Sequence, residues 1–383
     1  MKILMVSMFA NHFFNWTNQL RNSDHEVHWI DVFDNGSEVP IIGWVDQTIG
    51  WKRRYDFPGR QTLKKRIPFL NKVLENFNER ELSEIVEKKI REINPDVVQS
   101  FVLFSSCAPI LEVMNKNPHI KWIYSAWGND LFYFQNEPDY LRDIKAVLPR
   151  INYMFADCRR DYDIAKMYGF RGEFLGAYPG GGGYDFDFEE DILPVRERKI
   201  ILIKGYQKLF GECIKVFQSL EGLEEELRDY QIVVFGADEV TLDYIEKHKL
   251  REKKNFSIQN GLGRAEVMKL MGKSLIYIGN SVSDGTPNTM LEAFIMGAFP
   301  IQSNPGRVTE EWITNGVNGL LIPDPLDVEE IRQIILKALN NLDFIEKAVE
   351  YNFEIKKPQL ERTKVTKEVL EKYALIETEL EKI

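Results

Sequence analysis

Short β-branched runs alternate with helix-length amphipathic stretches along the whole chain, and this alternation restricts it to parallel sheets crossed by helices. In the first half the strands read as Lys2–Ser7, Glu26–Val32, Val97–Phe101, Trp122–Ala126 and Tyr153–Ala156. In the second they read as Lys199–Ile203, Gln231–Phe235, Phe256–Gln259, Leu275–Gly279, Phe299–Gln302 and Gly319–Ile322. Glu79–Ile93 reads as a helix that stops at Asn94-Pro95, because the residue before a proline is pushed out of the α conformation. Between the two series stands Pro179-Gly180-Gly181-Gly182-Gly183, followed by the acidic stretch Asp185–Asp191. A hinge belongs there. With 383 residues, one core is too few. The expectation is an α/β protein with two Rossmann-like parallel-sheet domains facing across a cleft. Residues 1–180 form the first domain, 181–197 the hinge and 198–343 the second domain, with helices of 344–383 packing back across both. Ligands of such sheets bind beyond the carboxyl ends of the strands.

Charge removes one class of partner. Lys and Arg number 49 against 59 Asp and Glu, a net charge of −10, so a general nucleic-acid binder is disfavoured for want of phosphate-neutralising cations. Cys107, Cys158 and Cys213 are far apart with no C-x-x-C, which suggests neither a disulfide framework nor a zinc site and fits a reducing compartment. The opening run Ile3–Ala10 reads as a buried strand rather than a signal peptide. No apolar window is long enough to span a membrane. A cytoplasmic protein is expected, with a peripheral station at the inner face of the membrane as the accompanying reading.

Several familiar chemistries lack their residues. No G-x-G-x-x-G follows the first strand, no G-K-[ST] follows Gly205–Gly211, and there is no G-x-S-x-G elbow. Asp161-Tyr162-Asp163 and Asp185-Phe186-Asp187 are literal D-x-D triplets. Both read as solvated charge, so no metal and no other cofactor is expected.

The informative segment is Ser281–Ala293, directly after a strand. Thr286 reads as an N-cap and Pro287 as the first helical residue. The helix then presents free N–H groups near Asn288, Thr289 and Met290, and the positive end of its dipole, to a diphosphate. Glu292 lies a step off the apolar stripe of Met290, Leu291, Phe294 and Ile295, where a carboxylate can accept hydrogen bonds from vicinal hydroxyls. Lys204 and Lys208, after the first strand of the second series, supply point charges for a diphosphate.

Asp284 and Glu292, seven residues apart, resemble the E-x7-E element of retaining family 4 glycosyltransferases, which have the GT-B fold. Gly306, Glu311-Trp312-Ile313, Asn318–Pro323 and Asp327 continue the resemblance, which is specific over roughly residues 195–340. In the first half Trp127-Gly128-Asn129-Asp130 is the clearest match. The resemblance implies that Glu292 binds the nucleotide ribose and Asp284 faces the donor sugar. It implies that Gly285, Thr286, Pro287, Asn288 and Thr289 present amides to sugar and diphosphate, with Asn260 and Gly261 near the base. Asn11, His12 and Asp130 would contact donor phosphate or acceptor. Three departures stand out: Asp284 replaces the family's glutamate, Trp127 replaces its histidine, and Lys204-Gly205-Tyr206-Gln207-Lys208 replaces its Arg and Lys in register.

The function expected is transfer of a sugar from a nucleotide-diphosphate-sugar to a hydroxyl acceptor with retention, in cell-surface polysaccharide or glycolipid assembly. The alternatives are a nucleotide-sugar epimerase on the same fold and a non-catalytic nucleotide-sugar-binding partner protein. The acceptor reading draws on Lys52–Arg66, where Lys52, Arg53, Arg54, Arg60, Lys64, Lys65 and Arg66 face one acid, Asp56. Interleaved with Trp51, Tyr55, Phe57, Leu63, Ile67, Phe69 and Leu70, they suit an anionic membrane surface and a lipid-linked acceptor.

Overall fold

The computed structural model describes residues 1–55, 77–187 and 189–382. Two compact units emerge: Met1–Asp157 with Asp161–Gly182 and Thr366–Ile383, and Cys158–Arg160 with Gly183–Val365.

The strands of the first unit are β1 (Lys2–Ser7), β2 (Glu26–Asp31), β3 (Asp46–Thr48), β4 (Val97–Phe101), β5 (Lys121–Ala126), β6 (Tyr153–Ala156) and β7 (Glu173–Ala177). They form one sheet in the order β3-β2-β1-β4-β5-β6-β7, with every pairing parallel. The helices are α1 (Asn11–Asn18), α2 (Leu82–Ile93), α3 (Leu111–Lys116), α4 (Pro138–Val147) and α5 (Arg159–Met167). Helix α2 begins three residues later than its pattern suggests, and it ends where Asn94 turns left-handed at φ 50°.

The second unit carries β8 (Ile200–Lys204), β9 (Gln231–Phe235), β10 (Phe256–Gln259), β11 (Ser274–Gly279), β12 (Phe299–Ser303) and β13 (Leu320–Ile322). Its sheet runs β10-β9-β8-β11-β12-β13, again parallel throughout. Its helices are α6 (Cys213–Ser219), α7 (Glu239–Lys247), α8 (Arg264–Gly272), α9 (Asn288–Met296), α10 (Val328–Leu339) and α11 (Leu342–Tyr351). The last helix, α12 (Arg362–Leu380), groups with the first unit from Thr366 onward.

Strand sequences explain why these sheets are covered on both faces. Ile201, Ile203, Val234, Ile276, Ile278 and Ile301 enter one buried cluster. The alternate residues Leu202, Val233, Phe235 and Tyr277 enter another together with Met290, Leu291, Phe294 and Ile295 of α9. Gly297 ends α9 at φ 70°, and a Cβ there would lie 2.5 Å from the Phe353 ring. Both conformation and space demand glycine.

Strand order reverses between β1 and β4 in the first sheet and between β8 and β11 in the second. Such reversals leave a crevice at the carboxyl ends of the two central strands, where open α/β sheets take their ligands. Lys204 closes β8, and Asn280–Pro287 leads from β11 into α9.

Candidate functional site

In the second unit the polar residues gather at that switch point. The segments after β8 and β11 are knitted together: the Glu212 amide donates to the Asn280 carbonyl at 2.9 Å and the Val282 amide to the Phe210 carbonyl at 2.8 Å. Gly205 lets the segment after β8 close on the one after β9, since a Cβ there would lie 2.7 Å from Ala237 Cα. Helix α9 starts one residue later than the sequence implies, with Pro287 in extended conformation as N-cap and no side-chain cap. The Met290 and Leu291 amides bond back to the Pro287 carbonyl at 3.0 and 3.2 Å. Met290 is therefore not one of the free donors. The amides of Asn288 and Thr289 have no acceptor among the described residues, and they stand at the positive end of the helix dipole.

Two carboxyls border this helix start. Residues Met290–Met296 are all buried, so α9 is enclosed on every side beyond its first turn and Glu292 sits within it at 9% exposure. Burial pushes its carboxyl above the usual range, while Arg264 and Lys204 pull it back. Arg264, the first residue of α8, reaches it at 3.5 Å. A buried carboxylate with so little compensation is a costly residue on a structural helix. Asp284 is also raised by desolvation, opposed by Lys204, the Gly285 amide and Arg160. Lys204 thus faces both acids from the end of β8. It also lies 5.8 Å from the centre of the Tyr206 ring.

Around them stands a shell that the sequence did not mark. Tyr184 donates to Asn288 Oδ1 at 2.8 Å beneath the Arg264 guanidinium, 4.9 Å from its ring centre. Tyr277 and Thr289 share a hydroxyl contact of 2.7 Å. Arg264, Tyr184 and Tyr277 come from three separate segments, so no local spacing connects them.

Other expected residues are occupied elsewhere. Lys208 Nζ donates to Glu239 at 2.8 Å, and the Gln207 and Lys208 amides donate to Asp238 at 2.8 and 2.7 Å. Asn260 is spent on Ala237, accepting from its amide at 2.8 Å and donating to its carbonyl at 2.9 Å. Gly261, at φ 73° with open space around it, leaves room beside that turn. Gly285, Thr286 and Pro287 are buried in the loop entering α9.

In the first unit Asn11 and His12 are exposed at the start of α1, just beyond β1. The His12 ring lies 6.4 Å from Trp127. Asp130 is 2% exposed. It accepts from the Leu103 amide at 2.9 and 2.8 Å and from the Tyr124 hydroxyl at 2.5 Å. Leu103 follows Val102, whose φ of 70° is rare for a β-branched residue. Asp130 therefore positions a strained turn at the carboxyl end of β4. Asp161, read as solvated, is fully buried, because the helix it opens packs its first turn inward.

Burial pushes the Asp130 carboxyl up to about 7, Asp161 adding to the effect and Tyr124 and Leu103 opposing it. The folded chain then holds a proton that the unfolded chain releases near pH 4. Its contribution to stability is full below that value and is lost as pH rises to about 7. Urea unfolding of the protein and of Asp130→Asn at pH 5 and pH 8 should show their stability difference moving against the parent by about 3 kcal/mol. An unchanged difference would contradict the raised carboxyl.

The cationic segment is only partly visible. Trp51 is buried and donates to the Asp31 carbonyl at 2.8 Å, so it is withdrawn from the surface. Lys52 pairs with Glu79 and Arg54 with Glu84, both at 3.5 Å. Residues 56–76, with Arg60, Lys64, Lys65 and Arg66, lie outside the described residues. Among the described residues, no helix is long and apolar enough to cross a membrane.

Residues 194–355 match the family model described as glycosyl transferases group 1. No curated protein sequence matches the chain. Among solved structures, sucrose-phosphate synthase from Thermosynechococcus elongatus gives a TM-score of 0.70 at 11% identity, over 98% of this chain and 99% of that one. HepE from Anabaena, solved in complex with UDP, gives 0.69 at 13% identity over 98% of this chain and 100% of its own. WaaG, described as a glycosyltransferase involved in lipopolysaccharide biosynthesis, gives 0.64 at 15% identity over 95% and 98%. At these identities the likeness establishes the fold: two parallel-sheet Rossmann-like domains of the GT-B kind.

Proposed function

We propose that the chain is a glycosyltransferase that moves a sugar from a nucleotide-diphosphate-sugar to a hydroxyl acceptor with retention at the anomeric carbon. The observation that carries this reading is the convergence of Lys204, Asp284, Glu292 and the uncapped start of α9 at the β8/β11 switch point. The match of residues 194–355 to glycosyl transferases group 1 supports it, as does the UDP in the structurally similar HepE.

In this reading the amides of Asn288 and Thr289 and the Lys204 ammonium hold the diphosphate. As the bond to the anomeric carbon breaks, negative charge grows on the leaving oxygen, and these groups stabilise it more than they stabilise the intact donor. Glu292 accepts from the ribose hydroxyls and Asp284 from a sugar hydroxyl. Arg264 favours the ionised form of Glu292 against the desolvation of a buried helix. The first unit receives the acceptor, and Asp130 shapes its β4 turn without touching substrate.

The test is incubation with UDP-, GDP- and ADP-sugars and a panel of hydroxyl acceptors, reading nucleoside diphosphate release and product configuration by NMR. Acceptor-dependent release with a retained anomer is the expected outcome. A changed sugar without acceptor would indicate the epimerase, and binding without turnover the non-catalytic partner. Because cationic stabilisation of the diphosphate comes from Lys204 and the helix start, activity should survive excess EDTA. Loss with chelator and recovery with Mn²⁺ or Mg²⁺ would overturn that assignment.

A lipid-linked acceptor for polysaccharide or glycolipid assembly is part of the proposal, resting on the cations of residues 52–66. Sedimentation with anionic vesicles should weaken with salt and fall when Lys64, Lys65 and Arg66 are changed to Ser. Equal recovery in the supernatant with neutral and anionic vesicles would remove it.

A further inference from the structure

The first residue of α9 brings a side chain to the switch point as well as an amide. Asn288 is half-buried, and its carboxamide has one partner among the described residues: Oδ1 accepts from the Tyr184 hydroxyl at 2.8 Å. Nδ2 donates to none of them. Two N–H bonds are thus left on the residue that opens the helix, where the dipole already favours an anion.

Tyr184 decides which end of the carboxamide is left over. It is 5% exposed, and Asn288 Oδ1 is the acceptor of its hydroxyl among the described residues. A buried O–H without an acceptor costs the desolvation of a donor. Turning the carboxamide over would set Nδ2 against the hydroxyl and strand that proton, so Oδ1 stays inward and Nδ2 is the end left for a ligand. The ring has no freedom to accommodate the other face. Its amide donates to the Leu360 carbonyl at 2.8 Å, and its carbonyl accepts from the Arg362 amide at 2.9 Å. It packs in one cluster with Tyr277, Met290 and Leu291, and the Arg264 guanidinium lies 4.9 Å from its centre.

We propose that the Asn288 carboxamide is a further hydrogen-bond donor to the diphosphate and that Tyr184 is the positioning residue that fixes its face, an inference that rests on the transferase reading of this site. The chemistry selects the partner. A carboxamide nitrogen only donates and ionised phosphate oxygens only accept, and such charge-assisted bonds are about twice as strong as neutral ones. A sugar hydroxyl both donates and accepts, so it would be served by either face and would give Tyr184 nothing to decide.

The test is isothermal titration of UDP, GDP and ADP into the full chain and its variants, with circular dichroism melts to establish that each is folded. For the nucleotide that the parent binds, Asn288→Ala should weaken affinity at least about tenfold. Asn288→Asp keeps the size and the acceptor for Tyr184 but turns a charged oxygen toward the phosphates, so it should bind more weakly than Asn288→Ala. Tyr184→Phe, which removes only the hydroxyl, should cost about threefold by releasing the carboxamide. In the Asn288→Ala background it should cost nothing further, because the hydroxyl acts through Asn288. A hydroxyl that served packing alone would cost the same in both backgrounds, and that result would overturn the positioning role. Full affinity in Asn288→Ala, or Asn288→Asp binding as well as Asn288→Ala, would overturn the contact with the diphosphate and leave the transferase reading in place. A folded parent that binds none of the three nucleotides would overturn both.

Discussion

Lys204→Ala should lower kcat by roughly 10²–10³-fold while the protein stays folded. Lys204 ends β8 at the switch point, where it is the cation facing both Asp284 and Glu292. Removal of one preorganised stabiliser of transition-state charge costs about that much. The loss should fall on kcat more than on donor KM, because the charge it meets develops as the bond breaks. Lys208 serves as the control. Its ammonium is held by Glu239 on an exposed surface, so Lys208→Ala should change kcat less than about fivefold. Equal losses in the two variants would mean that the ion pair with Glu239 opens when donor binds and that both lysines serve the diphosphate. Steady-state rates of nucleoside diphosphate release distinguish the outcomes.

Glu292→Gln should reduce kcat/KM for the donor by at least about tenfold, with most of the change in KM. The substitution keeps the shape of a side chain packed within α9 but replaces a charged acceptor by a neutral one. Charge-assisted hydrogen bonds contribute roughly 1.5–3 kcal/mol each, and tenfold corresponds to about 1.4 kcal/mol. A second effect runs in the opposite direction. Burial raises the Glu292 carboxyl, so the neutral amide removes a desolvation cost and the melting temperature should not fall. Lost affinity with retained or increased stability is the signature of a residue kept for a ligand. Unchanged donor kinetics in Glu292→Gln would assign this carboxylate to the packing of α9 with α8.

Much of the architecture could be read from the chain because its strands are buried on both faces, which makes near-continuous apolar runs such as ILMV in β1 and LIYI in β11. The two strands that escaped notice, β3 and β7, lack that feature. Asp46-Gln47-Thr48 is polar, and Glu173–Ala177 contains Gly176 at φ 136° beside a register shift. The donor-side acids and Lys204 were visible because they flank one loop and one strand end. Arg264, Tyr184 and Tyr277 were not, since they meet Glu292, Asn288 and Thr289 only through tertiary packing. Lys208 and Asn260 show the converse. Their types suited phosphate and base, but Glu239 and Ala237 had claimed them. The bonds of Asp130 to the Leu103 amide and the Tyr124 hydroxyl likewise join separate segments, so its supporting role at the turn is not visible in the Trp127–Asp130 motif.

The central question is whether the β8/β11 switch point takes a nucleoside diphosphate. Isothermal titration of UDP, GDP and ADP into the parent chain, Lys204→Ala and Glu292→Gln addresses it directly. One of the three should bind the parent at a single site, raising its stability by about 2.7 kcal/mol at a hundredfold excess over Kd, and each variant should bind it at least about tenfold more weakly. Binding of none of them to the folded parent, or equal binding to all three proteins, would contradict the assignment of this site.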